Sequence, residues 1–214
     1  MRSGWLLLLA LASVAWAEPR PAVVRDPQAP AVRELVDLAK LDAGFRFDLR
    51  YATPDNFTKT TLDPVVRAWL HRRAAEALVS VQQELAAQGL GLKIFDAYRP
   101  LAVQQRMWDL IRDERYVSNP ALHAGRHTRG TAIDLTLVDR AGRELPMPTA
   151  FDDFTERAHR DAPGTPAEAA RNSKRLETIM QKHGFLPYPF EWWHFDFRDW
   201  KMHPPLDVPL DKLP

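Results

Sequence analysis

Phe45, Phe47, Leu49 and Tyr51 alternate with Arg46, Asp48 and Arg50, the two-residue period of a strand with one buried face. The period then changes. Leu70, Ala74, Ala77, Leu78, Val81 and Leu85 recur at helical spacing, with Asp63-Pro64 as a cap and first turn and Gly89 as a stop. Leu92, Ile94 and Phe95 predict a strand leading into Asp96-Ala97-Tyr98-Arg99-Pro100, and a second helix is expected over Leu101 to Arg112. Residues 115–130 read as loop. Ile133, Leu135 and Leu137 alternate with Asp134 and Thr136 in a further strand, and Asp139-Arg140-Ala141-Gly142 has the composition of a hairpin turn. Residues 143–164 carry few periodic signals and read as a long flap. Thr165-Pro166-Ala167-Glu168 has the form of a capping box with proline at the first helical position, and its helix should end near Gly184. Phe195 and Phe197 flank Asp196 in a last strand.

Helices and strands are mixed without regular βαβ alternation, and no glycine-rich phosphate loop follows a strand. The pattern predicts an α+β fold: one domain, an antiparallel central sheet and flanking helices. A length of 214 residues, 45% hydrophobic, suits a single core. With 27% charged residues and a formal net charge of +1, there is no electrostatic reason to expect nucleic acid or an acidic membrane as partner. The N-terminus reads differently. Arg2, the apolar run Trp5 to Val14 and the small residues of Ala15-Trp16-Ala17 predict a signal peptide over 1–17, cleaved before Glu18. The run is shorter than the ~20 residues of a spanning helix. The expectation is therefore an exported protein, periplasmic in a diderm bacterium and otherwise secreted, with no stable membrane association after cleavage. Residues 18–30 should be an exposed lead-in, 31–203 the domain proper, and 204–214 a proline-rich tail acting as a surface strap. The chain has no cysteine, which excludes disulfides, thiolate metal ligands and a lipid-modified cysteine.

Two segments carry the candidate chemistry: His127-Thr128-Arg129-Gly130-Thr131-Ala132-Ile133-Asp134 and Glu191-Trp192-Trp193-His194. They supply two imidazoles and two carboxylates. A catalytic zinc commonly takes three N/O ligands and leaves a position for water, and a fourth group must accept the water's proton. His127 and Asp134 would point to opposite faces of a straight strand, so Gly130 should break the chain between them. Asp134 lies between Ile133 and Leu135, where a carboxylate is costly unless it meets a metal or a charge. The spacing of Glu191 and His194 also requires a bend, for which Pro187 and Pro189 provide. The pattern alone leaves a structural His–Asp pair open. A second E-x-x-H, Glu156 and His159, sits in a charged stretch and reads as a solvated face. His123 pairs with His127 at helical spacing and is a candidate for a pocket rim. His71, His183 and His203 read as surface or packing residues.

The chain resembles the VanX-type D-alanyl-D-alanine dipeptidases, within the zinc peptidases that also include D,D-carboxypeptidases and the hedgehog domain. The group's S-x-H-x-x-G-x-A-x-D pattern appears as Gly125-Arg126-His127-Thr128-Arg129-Gly130-Thr131-Ala132-Ile133-Asp134, followed by Glu191-Trp192-Trp193-His194. The dipeptidase branch is matched by Asp48-Leu49-Arg50-Tyr51-Ala52-Thr53 with Asn56-Phe57, by Asp96 to Pro100, by Asp134-Leu135-Thr136-Leu137 and by Phe151-Asp152-Asp153-Phe154. The resemblance spans about residues 32 to 203. It implies a hedgehog/D,D-peptidase-like fold and one Zn2+ per chain on His127, Asp134 and His194. It implies Glu191 as general base and acid, and Arg99 stabilising the oxyanion. The implied substrate is a small dipeptide, with Tyr51, Gly125, Phe151 and Asp152 near it. The family has serine where this chain has Gly125. The competing readings are a D,D-carboxypeptidase on peptidoglycan stem peptides and a non-catalytic cell-wall binding domain. Oligomeric state is not legible in the sequence.

Overall fold

A computed structural model describes residues 22–213. The expected signal peptide falls outside the described residues. The helices are α1 (Pro30–Arg33), α2 (Arg72–Ala86), α3 (Leu101–Leu110) and α4 (Ala167–Lys182). The strands are β1 (Leu35–Asp37), β2 (Arg46–Phe47), β3 (Trp69–His71), β4 (Leu90–Asp96), β5 (Ala132–Asp139), β6 (Phe185–Pro187) and β7 (His194–Phe197). Five of the strands form one sheet in the order β2-β4-β5-β7-β6, antiparallel except for the edge pair β2-β4, and β1 pairs with β3 separately. The α+β architecture is the one expected.

The sheet has one apolar face and one chemical face. Ile133, Leu135 and Leu137 of β5 join Leu92 and Ile94 of β4 beneath α2 and α4, which add Leu78, Val81, Leu85, Leu176 and Met180. The alternate residues of β5 point the other way, so Asp134 and Thr136 face away from those helices. Asp134 pairs with His194 across β5-β7 and with Asp96 across β4-β5. The β4-β5 register shifts between Ile94 and Asp96. Without that bulge Asp96 would fall on the apolar face; one inserted residue turns it to the face of Asp134.

Three local expectations are corrected. Leu70 belongs to β3, and the helix begins only at Arg72. Trp69–His71 pairs with Leu35–Asp37, a distant partner that local periodicity cannot register. The strand expected through Tyr51 stops after Phe47, and the chain tightens into a 3-10 turn over Arg50–Ala52. Arg50 there donates to the Asp48 carboxylate at 2.9 Å. The capping box does not form either. Pro166 is the N-cap of α4 without side-chain capping, and the Thr165 hydroxyl donates back to Ala162 O at 2.8 Å.

The C-terminal segment packs into a second apolar cluster, where Leu206 and Val208 meet Val32, Leu35, Trp69 and Tyr98. Leu206 N donates to Thr128 O at 2.8 Å, and Leu206 O accepts from Leu101 N at 3.2 Å. Residues 204–213 thus reach the His127 loop and the start of α3.

Candidate metal centre

His127 opens a 3-10 turn, His127–Arg129, that ends on Gly130 in the left-handed region at φ 65°. A side chain at Gly130 would meet Leu35 Cδ2 at 2.4 Å, so only glycine gives both the turn and the close packing. The turn brings His127 over the sheet face that carries Asp134. Residues 191–193 make a second turn, with His194 N donating to Glu191 O at 3.4 Å, and so place Glu191 beside the strand that carries His194.

His127 Nε2 lies 3.2 Å from His194 Nδ1 and 3.3 Å from Asp134 Oδ2, and His194 Nδ1 lies 2.9 Å from Asp134 Oδ1. All three side chains are buried. The other ring nitrogens fix the tautomers. His127 Nδ1 donates to Ala97 O at 2.7 Å, and His194 Nε2 donates to Asp196 Oδ1 at 2.9 Å. The facing nitrogens are therefore lone pairs aimed at one another and at a carboxylate. Three buried acceptors without a donor repel unless a cation sits among them. One atom from each residue falls within 4.8 Å of the others, the spacing of a shared ion. Two imidazoles and a carboxylate suit zinc, and the acceptors behind each imidazole are those that orient metal-bound histidines.

Without a metal, a proton on His194 takes the place of that cation. Burial works against charge on His194, but Asp196 and Asp134 outweigh it and push its pKa up to about 10. Asp134 is also penalised by burial, yet His127 and His194 hold it far below the usual carboxylate range. Glu191 approaches His194 Nδ1 to 3.7 Å, and burial, with Asp134 adding repulsion, raises it well above the usual range. Arg99 sits above the row. Its Nε and Nη2 hold Asp96 Oδ2 at 2.9 and 2.6 Å, its Nη1 donates to Gln104 at 2.7 Å, and its Nη2 is 4.0 Å from Asp134 Oδ2. Burial opposes that charge, but Asp96 and its neighbours keep it fully protonated.

These groups open into a cleft of about 530 Å³, its mouth included. Tyr51, Gly125 and Asp152 line it with the residues above. Asp152 has φ 61°, uncommon for a residue with a side chain, and accepts from the Tyr51 hydroxyl at 3.0 Å. Burial and Asp134 push its pKa up to about 8. Phe151 is not on the cleft wall; its ring packs behind it against Phe95 at 4.7 Å and Trp193 at 5.4 Å. His123 is exposed, near Glu114. His159 contacts the Tyr116 hydroxyl at 3.1 Å, away from the three acceptors. His71 is buried and packs against His203, 3.9 Å between ring centres with the rings tilted at 47°.

Sequence reasoning missed Asp96, Asp196 and Arg126. Asp196 was marked by its place between two phenylalanines, where a buried carboxylate must have a partner. Asp96 reaches the site only through the β4 bulge.

The Peptidase_M15 family model, described as D-ala-D-ala dipeptidase, matches residues 31–207. The chain is 39% identical to the D-alanyl-D-alanine dipeptidase of Escherichia coli K12 over 173 residues, covering 81% of this chain and 89% of that one. It is 35% identical to the D-alanyl-D-alanine dipeptidase of Enterococcus faecium over 176 residues (73% and 87%), and 32% identical to that of Streptomyces coelicolor over 194 (80% and 95%). VanYB in complex with D-alanine-D-alanine is similar at a TM-score of 0.42 and 15% identity, covering 63% of this chain and 75% of that one. The export expected from residues 1–17 is corrected. The similarity to the Escherichia coli and Enterococcus faecium dipeptidases runs against an exported, periplasmic enzyme, and an apolar run followed by small residues is too generic a signal to outweigh it. The match across most of the domain makes this chain a member of the D-Ala-D-Ala dipeptidase family of metallopeptidases.

Proposed function

We propose that this enzyme is a zinc-dependent hydrolase of the free dipeptide D-alanyl-D-alanine, with one zinc per chain on His127, Asp134 and His194. The observation that carries the reading is the buried nest of three acceptors with a fourth carboxyl beside it. Bound zinc supplies a Lewis acid that acidifies water and polarises the scissile carbonyl. Glu191 takes the proton of the attacking water and gives it to the departing amine. Its raised affinity for a proton suits a group that must hold that proton between the two transfers. Arg99, held by Asp96 and Gln104, offsets the negative charge that develops on the carbonyl oxygen. Asp152, steadied by Tyr51, offers the dipeptide's ammonium group a buried carboxylate. Binding an ammonium there draws that group into its charged form and gains an ion pair, which an acylated amine cannot form. The cleft thus prefers a free dipeptide to a stem peptide. Residues 31–203 form the catalytic domain in this reading, and 204–213 complete it.

Glu191→Gln tests the assignment. The variant should keep one zinc per chain and lose roughly 100- to 10,000-fold in kcat on D-Ala-D-Ala. His194→Ala should lose both zinc and turnover. Full activity of Glu191→Gln would overturn the mechanism. Faster cleavage of acyl-D-Ala-D-Ala than of the free dipeptide would overturn the substrate.

A further inference from the structure

Arg126 is a cleft residue that the mechanism leaves unused. Three arginines line the cleft: Arg99, Arg115 and Arg126. Arg99 is committed to Asp96 and Gln104. Arg115 lies at the exposed rim, forked onto Asp113 through Nε and Nη2. Arg126 differs from both. Its Nε faces Asp196 Oδ2 at 3.2 Å without hydrogen-bond alignment, and among the described residues its terminal Nη groups have no hydrogen-bond partner. The guanidinium is nevertheless held in place, 4.8 Å from the Trp200 ring and 5.6 Å from the Tyr188 ring. Arg129 also lies against the Trp200 ring, at 5.7 Å, and has no carboxylate partner among the described residues. Its own charge adds positive potential, which Asp196 offsets only in part. Arg126 side-chain exposure is 29%, enough for a ligand to reach it.

The neighbouring position makes room for such a ligand. Gly125 has φ 83°, and a Cβ there would come within 3.4 Å of Ser118 Cβ and 3.5 Å of its hydroxyl. The bare backbone leaves that space to the cleft, and Ser118 lines it. A guanidinium with free, forked N–H groups in a cleft that a hydroxyl also lines matches a carboxylate.

We propose that Arg126, with Ser118 lining the same cleft, binds the C-terminal carboxylate of the dipeptide and sets the enzyme's requirement for a free carboxyl end. The proposal rests on the dipeptidase reading above. Asp152 would then hold the ammonium end and Arg126 the carboxylate end, so that the cleft measures a dipeptide by its two charges.

The test compares D-Ala-D-Ala with its C-terminal amide in the zinc-loaded wild type, Arg126→Met and Arg126→Lys. The wild type should prefer the free acid by about 10- to 100-fold in kcat/KM, the range of one charge-assisted bidentate contact. Arg126→Met should lose most of that preference, with the loss on the free acid carried by KM and the amide changed less than about 3-fold. Arg126→Lys should recover part of it. An Arg126 that acted only through Asp196 and His194 would depress both substrates equally in kcat, and that result would overturn the proposal. A wild type indifferent to the amide would overturn it too. A wild type inactive on both substrates would instead refute the dipeptidase reading. Zinc content and melting temperature of each variant separate these outcomes from misfolding.

Discussion

Arg160→Met should weaken the enzyme from beneath its metal site. Arg160 belongs to the segment between β5 and α4, and its side chain is 8% exposed. Its Nε donates to Tyr188 O at 2.8 Å, its Nη2 donates to His194 O at 2.9 Å, and its Nη1 reaches Glu177 at 3.4 Å. The guanidinium centre sits 4.4 Å from the Phe195 ring. One side chain thus ties the main chain of a proposed zinc ligand to α4. Methionine keeps the apolar stem and removes every donor. The Tyr188 carbonyl then lacks a partner, at about 1–3 kcal/mol, and His194 O keeps only the Tyr188 amide at 3.2 Å and loses a charge-assisted bond of about 1.5–3 kcal/mol. Glu177 is not stranded, because Lys174 stays on it at 2.5 Å. The loss of a costly buried charge offsets part of the damage: burial, only partly countered by Glu177, pushes the Arg160 pKa down to about 10. The net cost should be about 2–4 kcal/mol. At roughly 2–4 °C per kcal/mol for a domain of this size, the melting temperature should fall by about 4–16 °C. Zinc affinity should fall by about 10-fold, because His194 loses one of its main-chain anchors. Calorimetry of the zinc-loaded and chelated forms, with competition against a chromogenic chelator, reads both effects. A variant that melts within about 1 °C of wild type in both forms would refute the reasoning.

Asp196→Asn removes the charge behind His194 and should lower zinc affinity about 10- to 100-fold while the fold is kept; unchanged affinity in a chelator competition would refute that role. Gly130→Ala forces a Cβ into Leu35 and strains a left-handed residue, and should cost about 1–3 kcal/mol in urea unfolding. Chelation should leave the protein less stable as pH rises. His194, with its folded pKa raised from 6.5 to about 10, contributes stability that is full below 6.5 and lost as pH passes 10. Asp152, raised from 3.8 to about 8, favours the folded state when neutral, so that stability also falls as pH rises towards 8. Urea titrations of the metal-free protein between pH 6.5 and 10 check this, and stability that rises over that window would contradict it.

The chemistry was legible where residues sit close in sequence. His127, Gly130 and Asp134 declare a broken strand with a ligand on each side, and Glu191 to His194 declare a bend. Long-range placement was not legible. The pairing of Trp69–His71 with β1 overrode a helical spacing that began at Leu70, because strand partners 32 to 36 positions apart leave no local trace. Asp96 needed the bulge, and Arg160 lay in a stretch with no period at all. Its role follows from where Tyr188 and His194 come to rest. Phe151 and Asp152 are neighbours in sequence, yet the left-handed backbone of Asp152 sends one into the core and the other to the cleft.

The nest of acceptors also fixes an order of events in biosynthesis. Asp134 and His194 are separated by 60 residues, and the Leu206 contact to Thr128 spans more than that again. A chain still being made presents His127 and Asp134 well before it presents the third ligand or the segment that braces the first. Until then the early pair is a half-formed binder, open to whichever ion is abundant and unable to hold it in the final geometry. Metal binding at the proposed site therefore waits until the segments around His194 and Leu206 have been made, well after His127 and Asp134 are exposed.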